Sequence, residues 1–81
     1  NIYMNTTILK KAQKCIEVCN KSLEDNEYNA RKVKGVSCSH SDVETVKLYA
    51  ETISRYGSYE GILMRPHCEV AEVLKKFGLI A

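Results

Sequence analysis

The stretch 42–56 constrains the fold of this 81-residue chain most, because it carries a complete set of helix signals. Its apolar residues recur at spacings of three and four, as on one face of a helix: Val43, Val46, Ala50 and Ile53. Ser41 and Glu44 have the spacing of a capping box at the start of a helix. Gly57 can adopt the left-handed conformation that ends one. We therefore predict a helix over 42–56, against whose apolar face the rest of the chain must pack.

The same spacing predicts a helix on either side of it. Residues 7–23 place six apolar side chains on one face: Ile8, Ala12, Cys15, Ile16, Cys19 and Leu23. Near the end of the chain, Pro66 suits the first turn of a helix, and Gly78 followed by Leu79 suits a Schellman closure. The apolar face between these signals consists of Val70, Val73, Leu74 and Phe77.

Two short stretches between the helices lack helical periodicity and are predicted as strands. Residues 31–38 carry the β-branched Val33 and Val36, and residues 59–64 end in three large apolar side chains typical of a buried strand. The order strand, helix, strand implies a parallel pair joined by a right-handed crossover. The predicted fold class is α/β, a single small α-β-α-β-α domain over 1–81 with a short parallel sheet.

Composition limits the classes of function. Hydrophobic residues make up 44% and charged residues 27%, which indicates a folded chain, and the net charge of +2 is low for a dedicated nucleic-acid binder. No stretch approaches the roughly 20 apolar residues of a membrane span. Residues 1–4 lack a signal-peptide pattern, so the four cysteines are expected to be free thiols in a reducing, cytoplasmic compartment.

Both histidines and two of the four cysteines follow the predicted strands, in segments 37–41 and 65–68. Ligands bind a parallel sheet at the edge where its strands end, so the two segments are predicted to meet there. Free N–H groups at two helix starts, serine hydroxyls and an arginine suit an anion or an acidic partner. The predicted anion- or partner-binding residues are Ser39, His40, Ser41, Arg65 and His67.

Two other chemistries at this edge stay open. Cys38, His40, His67 and Cys68 form a Cys₂His₂ set suited to zinc, although their spacings are not those of standard zinc modules. A thiolate at Cys38 or Cys68, supported by a histidine and a helix start, would be a nucleophile. No third orienting residue is evident. We therefore expect no catalytic residue, no metal and no cofactor, and the chain is not expected to be an enzyme.

Residues 30–46 resemble a helix-turn-helix DNA-binding motif, through the turn Gly35-Val36-Ser37 and the following Val43 and Val46. The resemblance implies an alternative all-α fold and a DNA-binding regulator that uses residues 30–47. The nucleic-acid contacts that it implies are Lys32, Lys34, Ser39, His40 and Lys47.

The leading functional prediction is a small non-enzymatic regulatory or adaptor module that acts by binding another macromolecule. A chain of this length buries a limited core, and two strands make an undersized sheet that either a third strand at Ile2–Met4 or a second copy would complete. The expected partner is a protein or a second copy in a homodimer. Nucleic acid is the alternative partner, and no membrane contact is expected.

Overall fold

The computed structural model describes residues 6–24, 31–58 and 65–81. In chain order its elements are α1 (Thr6–Leu23), β1 (Arg31–Val33), β2 (Val36–Cys38), α2 (His40–Tyr56) and α3 (Cys68–Lys76). The mixture of helices and strands is confirmed, with helices predominating.

The first helix, α1, matches the predicted range to within one residue and lies along α2. Ala12, Cys15 and Cys19 on its inner face are fully buried. At its far end, the Arg31 Nε of β1 donates a hydrogen bond of 2.9 Å to the carbonyl oxygen of Ser22. This bond satisfies one of the carbonyls that a helix end leaves without a partner, and it ties β1 to α1.

The single strand predicted over 31–38 is two strands that form an antiparallel hairpin, with Val33 paired to Val36. The turn residues Lys34 and Gly35 have φ of 53° and 80°. Positive φ at both central residues is the mark of a type I′ turn, whose twist matches that of the flanking strands.

The predicted parallel sheet is wrong, because the sheet among the described residues has two antiparallel strands joined by this two-residue turn. Parallel strands need a much longer crossover. The predicted strand 59–64 and the third strand at Ile2–Met4 lie outside the described residues. The all-α alternative is also wrong, since the hairpin occupies residues 31–38, where the helix-turn-helix resemblance requires the end of a helix.

The second helix, α2, begins two residues earlier than predicted, and the predicted capping pair Ser41 and Glu44 is wrong. Ser39 Oγ accepts a hydrogen bond of 3.0 Å from the backbone N–H of Asp42, and Asp42 Oδ2 accepts one of 3.2 Å from the N–H of Ser39. The chain leaves β2 at Cys38, so Ser39 is the first residue free to cap the helix. The predicted stop is confirmed at Gly57, where φ is 81°.

The third helix, α3, begins at Cys68, so Pro66 precedes the cap residue instead of lying in the first turn. The predicted Schellman closure is confirmed. The N–H of Leu79 donates to the carbonyl of Leu74 at 2.9 Å, and the N–H of Gly78 donates to that of Lys75 at 2.9 Å. The left-handed residue that this closure needs is Gly78, with φ of 76°.

All five elements contribute to one apolar core, and the described residues bury no polar or charged side chain in it. Side chains from α1 and from one face of the hairpin meet α2 and α3. The largest buried side chains are Ile53, Leu74, Val33, Val43, Val46, Val70 and Val73. This packing sets the first turns of α2 and α3 side by side.

The position of the cap predicts that replacing two nearby serines by alanine lowers the free energy of unfolding by different amounts. Ser39→Ala removes the oxygen that caps α2 and is expected to lower the free energy of unfolding by about 1 kcal/mol. Ser41→Ala, on the exposed surface of the first turn, is the matched control and is expected to cost less than about 0.5 kcal/mol. Urea denaturation measures both. Equal costs, or a larger cost at Ser41, would contradict the observed cap.

Candidate functional site

The first turns of α2 and α3 meet, so the structure brings segments 37–41 and 65–68 together. His67 Nε2 lies 3.6 Å from Asp42 Oδ1, and the other oxygen of Asp42 accepts the cap hydrogen bond from Ser39. The cause is not a parallel sheet. The short β2 delivers the chain directly into α2, and α3 packs against both β2 and α2.

The five predicted anion- or partner-binding residues take different positions at this junction. The Asp42 carboxylate links Ser39 to His67. His40 Nδ1 lies 3.3 Å from Glu44 Oε1, one turn along α2. Ser41 and Arg65 are both exposed.

Carboxylates dominate the junction. His67 Nδ1 lies 4.0 Å from Glu69 Oε2, in addition to its contact with Asp42. We call this part of the surface the acidic end; it consists of Asp42, Glu44, Glu69 and Glu72. Acidic groups at helix starts interact favourably with the positive end of the helix dipole. They also oppose a bound anion, so anion binding here stays a prediction that the local charge does not favour.

The buried Cys38 thiol is affected by the same carboxylates. Burial raises its pKa to about 11, and the negative charges of Asp42, Glu69 and Glu72 add to the shift. The folded protein holds this proton more tightly than an unfolded chain, whose thiol has a pKa of 9.0. Cys38 therefore contributes stability below pH 9, and this contribution is lost as the pH rises toward 11. At neutral pH the group is a buried thiol and a poor nucleophile.

The zinc hypothesis requires four converging ligands, which this junction does not provide. Cys38 is 1% exposed and belongs to the core, whereas Cys68 lies on the surface. Residues 6–24, 31–58 and 65–81 contain no group of three or more His, Cys, Asp or Glu side chains placed to hold a metal ion.

Cys15 and Cys19 form a buried, hydrogen-bonded pair of thiols one turn apart on α1. Their shared hydrogen bond lowers the pKa of Cys19, and the positive charge of Lys47 lowers it further. Burial acts in the opposite direction and raises this pKa. The same hydrogen bond, together with burial, raises the pKa of Cys15. The sequence interpretation of both cysteines as buried residues is confirmed.

The residues implied by the helix-turn-helix resemblance do not share one face. Lys32 and Lys34 lie on the hairpin, and Lys34 Nζ is 5.1 Å from the centre of the Phe77 ring, beyond the last residue of α3. Ser39 and His40 instead begin α2, whose Asp42 lies 3.6 Å from His67 at the start of α3. At 1.5 Å per residue the two ends of the nine-residue α3 are about 13 Å apart.

Sequence reasoning missed an apolar strip on the outward face of α2. Leu48 is 53% exposed and Tyr56 is 66% exposed, and the two lie eight residues apart on one side of the helix. We call this surface the outer strip of α2; it consists of Thr45, Leu48, Thr52 and Tyr56. The signal was present in the sequence, because Leu48 and Tyr56 fall outside the apolar spacing of the core residues in the same helix.

Comparison with protein-family models, with curated proteins and with solved structures finds no match to this chain. Within the described ranges, no helix combines the length and the apolar character that crossing a bilayer requires. Function must therefore be argued from the surface of the molecule itself.

The burial of the thiols predicts one fast and three slow cysteines. Near pH 8, iodoacetamide should label Cys68 quickly, because its side chain is exposed. Cys15, Cys19 and Cys38 should react only through unfolding, because the described structure leaves them at most 1% exposed. Mass spectrometry of partially labelled protein shows how many cysteines react quickly and how many react slowly.

The variant Cys68→Ser is the control, and it should lose the fast class completely while its slow class is unchanged. Rapid labelling of Cys38 in that variant would contradict the burial described above and would favour a nucleophilic role for this residue.

Proposed function

We propose that this chain is a small non-enzymatic regulatory or adaptor module that binds protein through the outer strip of α2, and that a second copy of the chain is one partner. The observation that carries the proposal is the exposure of Leu48 and Tyr56 on one face of a helix whose other face is buried. Tyrosine is enriched at protein interfaces, where it supplies a large contact area with a polar tip.

The two threonines of the outer strip add to its apolar character. Thr45 Oγ1 donates to the carbonyl oxygen of Ser41 at 3.0 Å, and Thr52 Oγ1 donates to that of Leu48 at 2.9 Å. Both hydroxyl protons are thereby used within the helix. A partner that covers the strip does not have to supply an acceptor for either proton, which lowers the desolvation cost.

Charge along the same helix face supports a second copy as the partner. Glu44 lies near the start of the outer strip and Arg55 near its end. Two α2 helices related by a two-fold axis between Leu48 and Thr52 run antiparallel, which sets Glu44 of each copy beside Arg55 of the other. A two-fold interface requires this kind of self-complementary surface.

The size of the strip indicates a weak dimer. One helix face offers less than the roughly 800 Å² per partner of a standard stable interface. We therefore propose a reversible association that responds to concentration, which suits a regulatory or adaptor role. Four free cysteines suit a reducing compartment and support a cytoplasmic location.

Sedimentation velocity across the micromolar range tests the proposal. The wild-type mass is expected to rise with concentration from 9.2 kDa toward twice that value. Leu48→Glu is expected to weaken association at least about tenfold, equivalent to about 1.4 kcal/mol, because the residue lies next to the two-fold axis and is buried in both copies. Gln13→Glu, which adds the same charge on the exposed face of α1, is the control and should have no effect.

A charge exchange tests the antiparallel arrangement separately. Glu44→Arg and Arg55→Glu should each weaken the dimer, and the double variant should recover most of the loss, because the two charges meet across the axis. A mass that stays at 9.2 kDa at every concentration would refute self-association. A dimer that is indifferent to Leu48→Glu would place the interface elsewhere and overturn the assignment of the outer strip.

A further inference from the structure

We infer that the end of α3 opposite the acidic end is a second binding surface, which takes the phosphodiester backbone of nucleic acid without reading its sequence. Four lysines from three separate elements surround this helix end. We call them the basic end: Lys11, Lys34, Lys75 and Lys76. The inference is independent of the outer strip of α2, which lies on another helix.

The contacts of α3 place these lysines together. Lys75 and Lys76 form its last turn. Lys34 Nζ lies 5.1 Å from the centre of the Phe77 ring. The Lys11 side chain lies so close to Gly78 that a Cβ at this glycine would be 3.0 Å from Lys11 Nζ and 3.2 Å from its Cδ. Side chains from α1 and from the hairpin turn thus both reach this end of α3.

The positive charges of the basic end have no carboxylate partner among the described residues. Within residues 6–24, 31–58 and 65–81, no lysine has a carboxylate oxygen within 4.0 Å. Lysines near a helix end often bond its last carbonyls. Here the Schellman closure already supplies backbone donors to the carbonyls of Leu74 and Lys75. The ammonium groups are therefore available to an external anion.

Two of the four lysines are held in place before any ligand arrives. The face of the Phe77 ring attracts the ammonium of Lys34. The stem of Lys11 packs against the backbone at Gly78, which has no side chain to displace it. Immobilising a long side chain on binding costs about 0.5–1.5 kcal/mol, and partial ordering in the free protein reduces that cost.

The segregation of charge explains how a chain with a net charge of only +2 can hold a polyanion. Glu69 lies in the first turn of α3 and Asp42 lies beside it, whereas Glu72 is the middle residue of the helix. Along the axis, Glu69 is about 10 Å from Lys75 and Lys76, close to the screening length at 0.1 M salt, and Glu72 is only about 5–6 Å from them. A phosphate chain at the basic end is therefore attracted by the four lysines and is opposed at close range by Glu72.

The chemistry of the basic end favours nucleic acid over an acidic peptide. Lysine is a compact point charge on a flexible stem, which suits phosphate oxygens and does not provide the planar fork that reads base edges. Nucleic acid also has the higher charge density, and binding releases its condensed counterions, a gain that a peptide with scattered carboxylates does not match.

Fluorescence anisotropy with a labelled mixed-sequence DNA duplex, measured at several salt concentrations, tests the inference. Four phosphate contacts predict a slope of log K against log salt of about −3.6. The double variant Lys75→Gln, Lys76→Gln should reduce the slope by about 1.8, and Lys11→Gln and Lys34→Gln by about 0.9 each. Lys21→Gln, at the other end of α1, changes the charge equally and is the matched control, with an unchanged slope expected.

Three outcomes would overturn the inference. They are no binding at low salt, an equal loss of slope from Lys21→Gln, and binding of poly-glutamate as tight as that of DNA. The second would mean attraction by net charge alone, and the third would assign the surface to acidic peptides. Failure of the outer strip is detected by the sedimentation mass and failure of the basic end by the salt slope, so the two are distinguishable. Circular dichroism and urea denaturation confirm that each variant is folded.

Discussion

The turn at Lys34 and Gly35 is the constraint on which the rest of the structure depends. Left-handed conformations at both residues close a two-residue hairpin, and the hairpin ends the sheet at Cys38. The chain then enters α2 at once, with Ser39 as the cap. The same turn carries the Lys34 ammonium onto the ring of Phe77. One local backbone choice therefore fixes where α2 starts, what the acidic end contains, and how the hairpin meets the last turn of α3.

The helices could be predicted from the sequence because burial of one face imposes a period that apolar residues reveal directly. The hairpin could not be predicted in this way. Residues 31–38 were predicted as one strand, and nothing in composition shows that the lysine before Gly35 adopts positive φ. The start of α2 was ambiguous for a different reason. Both Ser39 with Asp42 and Ser41 with Glu44 have the spacing of a capping box, and only the end of β2 decides between them.

The candidate sites show the same division between local and long-range information. Segments 37–41 and 65–68 were predicted to meet through a parallel sheet, and they meet through an antiparallel hairpin and the packing of α3. Their chemistry was harder to predict, because Asp42 and Glu69 approach His67 only after the helices pack. The outer strip and the basic end are properties of the folded surface. The first depends on which helix face is left uncovered, and the second on which distant lysines the end of α3 collects.

Gly78 ties the architecture of the chain to its surface charge. Its positive φ stops α3, and its missing side chain leaves room for Lys11. Any other residue there would strain the backbone and push the lysine stem outward in the same step. Substitution at this position is therefore restricted both by the backbone conformation and by the space that Lys11 occupies. A chain that lost the glycine would have to rebuild a helix stop and a patch of charge together, which few single nucleotide changes could achieve.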